Sequence, residues 1–346
     1  MRGESGGHPY NPDVTPVFVA SAPSRVDLAG GTLDLWPLHV LHPGSVTVNV
    51  AIDLRARCRV RRRDGAFRVS VPDLGYERTA VRPSDLLADP RGALAGAVLE
   101  GLEISEPRDI ELSSDVPYGS GLGGSSALTV AMSAALAASV GREFGRSDGV
   151  EFVRDVETRV LGKPAGIQDY YPPLEGGLHG IRFAPGRIEA VRREIDPSVW
   201  LRHLTLFDTG AAHSSGMNNW EIFRARLEGD RDVARRLDDV AAAAREMDEA
   251  AAAGDFRGMG SALRREWEAR RRLAPVVSSP AVERTIGAAL EAGAWGGKAC
   301  GAGGGGCVVL LSPPDRTPRV REALAGLGEG RLLLVAVENR GLAVGV

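Results

Sequence analysis

Asp115 to Leu128 reads DVPYGSGLGGSSAL, with glycines at 119, 121, 123 and 124 and serines at 120, 125 and 126. The apolar residues Ile110 to Leu112 before it predict a short strand, and Leu128 to Val140 (LTVAMSAALAASV) has the propensity of a helix. The glycines therefore occupy a strand-to-helix turn. Glycine admits positive φ and close approach of a ligand to the main chain, and the first amides of a helix lack acceptors inside it. With the positive end of the helix dipole, those amides favour a phosphate. Ser120, Ser125 and Ser126 add hydroxyls that can donate to phosphate oxygens or help coordinate a divalent cation. Taken alone, the loop is also compatible with an exposed glycine turn capped by serine.

Three familiar chemistries can be weighed against this loop. Gly119, Gly121 and Gly124 satisfy the dinucleotide fingerprint G-x-G-x-x-G, but that reading needs a second parallel strand ending in an acid. The helix runs instead into the polar GREFGRSDG. A Walker loop would end in G-K-[ST], and Gly124-Ser125-Ser126 has no lysine. A serine nucleophile elbow needs G-x-S-x-G, and no glycine lies two residues after Ser125 or Ser126.

Other candidate residues stand apart from the loop. Arg25, in APSRVDLAGG, follows a strand and precedes a glycine pair, so its guanidinium can lie over a cleft or simply meet solvent. Asp169, in GIQDY, is framed by prolines and glycines that suit a fixed loop, where a carboxylate can orient an acceptor hydroxyl and take its proton, or merely cap a turn. Glu157 lies twelve residues upstream on an expected helix. A third glycine tract, Gly296 to Gly306 (GGKACGAGGGG), leads straight into CVVLL, which suggests backbone packed closely on a ligand or on the first loop rather than a linker.

These residues need elements to position them. Val17–Ala20, Val46–Ile52, Ala56–Val60 and Phe67–Val71 read as strands. Val233, Leu237, Val240, Ala244, Met247 and Ala251 mark one face of a long helix, and a second helix is expected over Met259–Leu273. Cys307–Leu311 and Leu332–Val337 are apolar runs of strand length, separated by a helical segment around Arg319–Leu327. Two α+β units follow, with a boundary near residues 195 to 205: a flexible tail over 1–16, a first domain over 17–200 and a second over 201–346.

A chain of 346 residues is long enough for two cores. Its formal net charge of −3 gives no basic excess of the kind that marks a nucleic-acid protein. The cysteines Cys58, Cys300 and Cys307 have no metal-cluster spacing, no apolar stretch reaches membrane length, and the first residues lack a signal-peptide core. A reduced cytoplasmic protein is expected, with a small-molecule partner, no nucleic acid, no membrane, and a homodimer left open.

Taken together and in order, APSRVDLAGG, PYGSGLGGSSA and KACGAGGGGC resemble the three motifs of the GHMP kinases, the family of galactokinase, homoserine kinase, mevalonate kinase and phosphomevalonate kinase. The resemblance implies an α+β two-domain fold, with an N-terminal domain like ribosomal protein S5 domain 2 and a ferredoxin-like C-terminal domain. It implies ATP and Mg2+ bound between them. ATP would lie on Pro117, Gly119, Ser120, Gly121, Leu122, Gly123, Gly124, Ser125, Ser126 and Ala127. Arg25 and Asp169 match the catalytic arginine and aspartate, Ser126 and Glu157 the magnesium ligands, and Asp34 the sugar-binding aspartate. Gly31, Thr32, His213, Gly303 and Gly304 are expected with Asp34 around the acceptor, with Ser214 and Ser215 nearby.

Within the family, AGGTLDLWPL and the stretch from REWEARRRL to GAGGGG resemble the bacterial D-glycero-D-manno-heptose 7-phosphate kinases, so the expected acceptor is the anomeric hydroxyl of that sugar or a related one. Leu33 and Trp36 depart from the subgroup's threonine and proline on either side of Asp34. A phosphorylated sugar needs a cationic anchor, for which Arg264, Arg265, Arg270, Arg271, Arg272 and Lys298 are available. Two rivals stay open: a kinase of the same fold acting on fucose, galactose or mevalonate, and a non-catalytic nucleotide-binding regulator.

Overall fold

A computed structural model describes residues 16–211 and 215–345. Residues 1–15 of the expected tail, with His213 and Ser214, lie outside the described residues.

The first sheet is built on two long strands. β1 (Val17–Ala29) pairs antiparallel with β2 (Val46–Arg62) along its length, and the register shifts between Pro23 and Ser24, where proline has no amide to give to the ladder. Beyond that shift Arg25 faces Ala51 and Asp27 faces Asn49. Two residues apart on one strand, Arg25 and Asp27 share a face. The runs Val46–Ile52 and Ala56–Val60, expected as separate strands, form the single β2, because no glycine or proline interrupts Asp53-Leu54-Arg55. Its first half is buried throughout, while further on Ala56, Cys58 and Val60 point inward and Arg57, Arg59 and Arg61 outward.

β3 (Phe67–Val71), β4 (Tyr76–Ala80), β5 (Arg108–Ser114), β6 (Leu178–Ala184) and β7 (Arg187–Arg193) extend this sheet. β5 pairs with the second half of β2 and β6 with the first. The helix Gly124–Ala138 packs on β1 and β2, burying Val130, Ala134 and Leu136 in the same cluster as Cys58, Val60 and Ile110.

A second, antiparallel sheet follows: β8 (Leu204–Asp208), β9 (Gly296–Ala299), β10 (Cys307–Leu311) and β11 (Arg331–Leu333), in the order β11-β8-β10-β9. The helix Arg231–Ala253 is capped by the Asp230 carboxylate, stopped by Gly254 at φ 66°, and buries the whole expected face from Val233 to Ala251. A shared cluster joins Val26, Leu28, Val48 and Val50 of the first sheet to Met259 and Leu263 of the helix Phe256–Arg270 and to Leu206 and Val309. The architecture is the α+β arrangement expected, with one sheet in each part.

The run Leu332–Val337 is not one strand. Only Arg331–Leu333 pairs with β8, Leu334 is 89% exposed, and Val337 bridges to Ile52 of the first sheet. The chain then forms β12 (Ala343–Gly345) on β1. The segment is apolar because its two ends pack on two different sheets, which hydrophobicity alone does not distinguish from one strand.

Candidate active site

Backbone contacts hold the first glycine loop on two sides. Gly119, Gly121 and Gly123 adopt φ of 71°, 75° and 71°, conformations that few other residues accept. The Ser120 carbonyl accepts from the Cys307 amide at 2.8 Å, the Gly121 carbonyl from Arg25 Nη1 at 2.6 Å, and the Leu122 carbonyl from the Arg25 amide at 3.1 Å. With three successive carbonyls taken by the protein, the loop leads into a helix whose first amides, those of Gly124, Ser125 and Ser126, have no acceptor within the helix. This is a cradle for an anion.

The third glycine tract forms β9 and the loop from it to β10, and that loop packs on the first. A side chain at Gly306 would put its Cβ 2.7 Å from the carbonyl oxygens of Gly119 and Ser120, and one at Gly301 3.1 Å from that of Gly121. Gly303 and Gly304 instead approach Val277, whose carbonyl accepts from the Gly304 amide at 2.6 Å. Close packing on the first loop, one of the two uses expected of this tract, is observed at Gly301 and Gly306.

Arg25 and Asp169 meet as a two-pronged pair, Nε to Oδ1 and Nη2 to Oδ2, both at 2.8 Å. The arginine side chain is 4% exposed and the carboxylate 27%, so the aspartate reaches solvent while its partner is sealed behind it. Burial opposes the charge on Arg25, but Asp169, and Asp27 beyond it, hold its pKa above the ordinary value. Arg25 stays charged, and the fork fixes the Asp169 carboxylate toward whatever lies in front of it.

Two further acids surround it. Burial raises Glu157 to about 7, and the charge of Asp169 adds to this, although Tyr170 and Ser126 donate to its Oε2 at 2.9 and 3.2 Å. Burial and the Asp169 charge likewise raise Asp34 to about 7, while the Gln168 amide donates to it at 3.1 Å. Asp34 is wedged against Gly166, where a Cβ would sit 1.9 Å from its Oδ2. That contact locks the turn Gly30–Asp34 to the loop carrying Asp169.

Among the described residues no group of three or more His, Cys, Asp or Glu side chains could enclose a metal ion. A single buried carboxylate beside a serine hydroxyl suits magnesium, which takes one or two protein ligands and completes its shell with phosphate and water. Glu157 is buried and the Ser126 hydroxyl lies 3.2 Å from its carboxylate, at the first turn of the helix that follows the glycine loop. The residues present therefore fit such an ion.

Thr32 sits at φ 78°, unusual for a β-branched residue. Its hydroxyl donates to Asn219 at 2.8 Å and accepts from Arg270 Nη1 at 3.3 Å. Arg270 and Lys298, expected as free anchors for a substrate phosphate, are buried and paired with Glu266 and Asp27. Arg265 pairs with Glu246, Arg271 with Glu268 and Glu283, and Arg272 with Glu268 at 3.6 Å, and Arg264 is exposed. The acidic partners of these arginines come from the same helix, Glu266 and Glu268, and from its neighbours, Glu246 and Glu283. Tyr170, Gln168, Asn219 and Glu266 were not singled out in sequence. Only the Glu266–Arg270 spacing of four, which puts both on one helix face, could have drawn notice.

Residues 91–177 match the family model described as GHMP kinases N terminal domain, and residues 241–330 the one described as GHMP kinases C terminal, together just over half of the chain. The D-glycero-alpha-D-manno-heptose 7-phosphate kinase of Campylobacter jejuni is 26% identical over 314 residues, covering 87% of this chain and 91% of that protein. Among solved structures, a D-glycero-D-manno-heptose 1-phosphate kinase from Bacteroides thetaiotaomicron aligns with TM-score 0.74 at 21% identity, over 95% of this chain and 99% of the other. The Lactococcus lactis galactokinase complexed with galactose aligns with TM-score 0.76 at 18% identity, over 94% and 95%. At these identities the structures establish the fold.

Proposed function

This chain belongs to the GHMP kinase family, and we propose that it transfers the γ-phosphoryl group of ATP to a hydroxyl of a sugar or sugar phosphate. The anomeric hydroxyl of D-glycero-D-manno-heptose 7-phosphate, or of a related sugar, is the acceptor we favour, since that heptose names the relative matched over most of both chains. The observation that carries the reading is the Arg25–Asp169 fork, with its exposed carboxylate between the glycine loop and the turn bearing Asp34. The division near residue 200 is part of the same proposal, with the terminal strand β12 counted in the first sheet.

In this mechanism the loop amides and Ser120, Ser125 and Ser126 hold the phosphates. Ser126 and Glu157 would hold Mg2+, which when bound offsets negative charge on the phosphates. Asp34, with Gly31, orients the acceptor. Asp169 accepts the hydroxyl proton as the acceptor oxygen bonds to the γ-phosphorus and the bond to the departing ADP oxygen breaks. Arg25 holds the Asp169 carboxylate in place through its two-pronged contact. His213, Gly303 and Gly304 remain proposed acceptor neighbours, although the Gly304 amide is already bonded to Val277.

A panel of sugars, sugar phosphates and non-sugar alcohols with ATP, followed by NMR of the product, tests the proposal. A phosphorylated sugar hydroxyl is the expected result. Preference for a non-sugar alcohol would overturn it, as would ATP binding without turnover that is indifferent to Asp169→Asn.

A further inference from the structure

Behind the acceptor turn lies a set of four buried charges drawn from both halves of the chain. Asp27 is on β1, Lys298 on β9, and Glu266 and Arg270 one turn apart on the helix Phe256–Arg270, with exposures of 0%, 0%, 0% and 1%. Lys298 Nζ reaches Asp27 Oδ2 at 2.9 Å and Glu266 Oε1 at 3.4 Å, and Arg270 Nε reaches the same Glu266 oxygen at 2.7 Å. Two cations and two anions balance. Burial would raise Asp27, yet Lys298, then Arg270 and Arg25, hold it below the usual carboxylate range.

Sealing four charges from water is costly, and such a set rarely adds stability over an apolar replacement. Its contacts indicate what it holds instead. Arg270 Nη2 donates to the Gly31 carbonyl at 2.6 Å, Arg270 Nη1 to the Thr32 hydroxyl at 3.3 Å, and the Gly30 amide to Glu266 Oε1 at 3.4 Å. Three consecutive residues of the turn are thus gripped from the second half of the chain, and the last of them is the left-handed Thr32. A strained residue persists only where its surroundings over-determine it. Gly31 has no room for a side chain, since a Cβ there would lie 2.9 Å from Asp27 Oδ2.

We propose that Arg270, braced by Glu266, Lys298 and Asp27, is a positioning residue that holds the turn Gly30–Asp34 and so sets where Asp34 presents the acceptor to Asp169. The guanidinium touches no reacting atom. Its effect passes through the backbone at Gly31 and the side chain of Thr32, two residues before Asp34. This inference rests on the acceptor reading above for its kinetic consequence, but the ordering of the turn does not depend on which acceptor is used.

Arg270→Lys keeps the charge opposite Glu266 and removes the fork, so it tests positioning with the charge balance preserved. Thr32→Gly is the second variant, because glycine accepts the left-handed backbone and leaves all four buried charges in place. For both, faster amide exchange is expected in a peptide spanning residues 30–35, with unchanged exchange in one spanning 119–127. On the alcohol that the wild-type protein phosphorylates best, kcat/KM for that alcohol should fall about 100-fold in Arg270→Lys, with the KM for ATP within about twofold. Unchanged exchange at 30–35 in both variants, or equal losses for alcohol and ATP, would overturn the proposal. A wild-type protein that phosphorylates no alcohol would count against the kinase reading alone, and the exchange comparison would still decide the positioning.

Discussion

Two arginine–carboxylate pairs flank the turn Gly30–Asp34, and they differ in one respect. In Arg25–Asp169 the arginine is sealed and the carboxylate 27% exposed, whereas in Arg270–Glu266 both partners are sealed at 1% and 0%. The first pair can meet a substrate. The second can only fix the geometry of what surrounds it. Arginine beside acid is therefore not a sign of catalysis by itself, and the accessible face of the carboxylate separates the two roles.

The largest expected effect falls on the open pair. Asp169→Asn should lower kcat by about 10²- to 10⁴-fold, the usual contribution of a positioned base, with a melting temperature close to wild type. A large loss of stability in that variant would erase the distinction. The sealed pair should answer in the opposite way: Glu266→Ala leaves Arg270 and Lys298 facing Asp27 alone and should cost about 3–5 kcal/mol in urea unfolding. A cost below about 1 kcal/mol would mean that water reaches the set.

The next effect concerns Ser126 and Glu157. Ser126→Ala and Glu157→Gln should raise the magnesium concentration needed for half-maximal rate by about tenfold while changing ATP affinity less. Unaltered magnesium titrations in both variants would reassign the metal ligands.

Glu157 and Asp34, raised from 4.5 and 3.8 to about 7, bind protons in the folded chain that the unfolded chain has already released. Their contribution to stability is thus full below pH 4 and is lost as pH rises through about 7. Glu157→Gln should flatten part of that slope in a series of unfolding curves. By the same sign, the magnesium requirement and the acceptor KM should both rise as pH falls below 7. The smallest effect belongs to a pair exposed on both sides, Arg57–Asp115 at 44% and 39%, where Arg57→Ala should change stability by less than about 1 kcal/mol.

The contrast also marks what could be read from sequence. The glycine loop was legible because a phosphate cradle needs bare backbone at fixed spacing, whereas Glu157, one glutamate on a helix, stood out only through the resemblance; the structure brings Ser126 against Glu157 and Arg25 against Asp169. The face of the helix Arg231–Ala253 was legible because burial follows its period. Arg270 and Lys298 were counted among the available anchors because nothing local reveals that Lys298 will be enclosed by Asp27, far away in the chain, or that Arg270 will be buried with Glu266. The left-handed Thr32 and the split of Leu332–Val337 between two sheets were hidden for the same reason.

The pairing of β12 with β1 has a consequence for how the chain is made. β1 carries Arg25, yet the strand that covers its outer edge at Val19 to Ser21 is supplied by Ala343–Gly345, nearly a whole chain later. During synthesis the first sheet can collapse around β2, but its β1 edge stays open as a template for stray strands until the second half has emerged. Closure of that edge waits on β12, whereas among the described residues the edges at β4 and β7 take no further strand even in the folded chain.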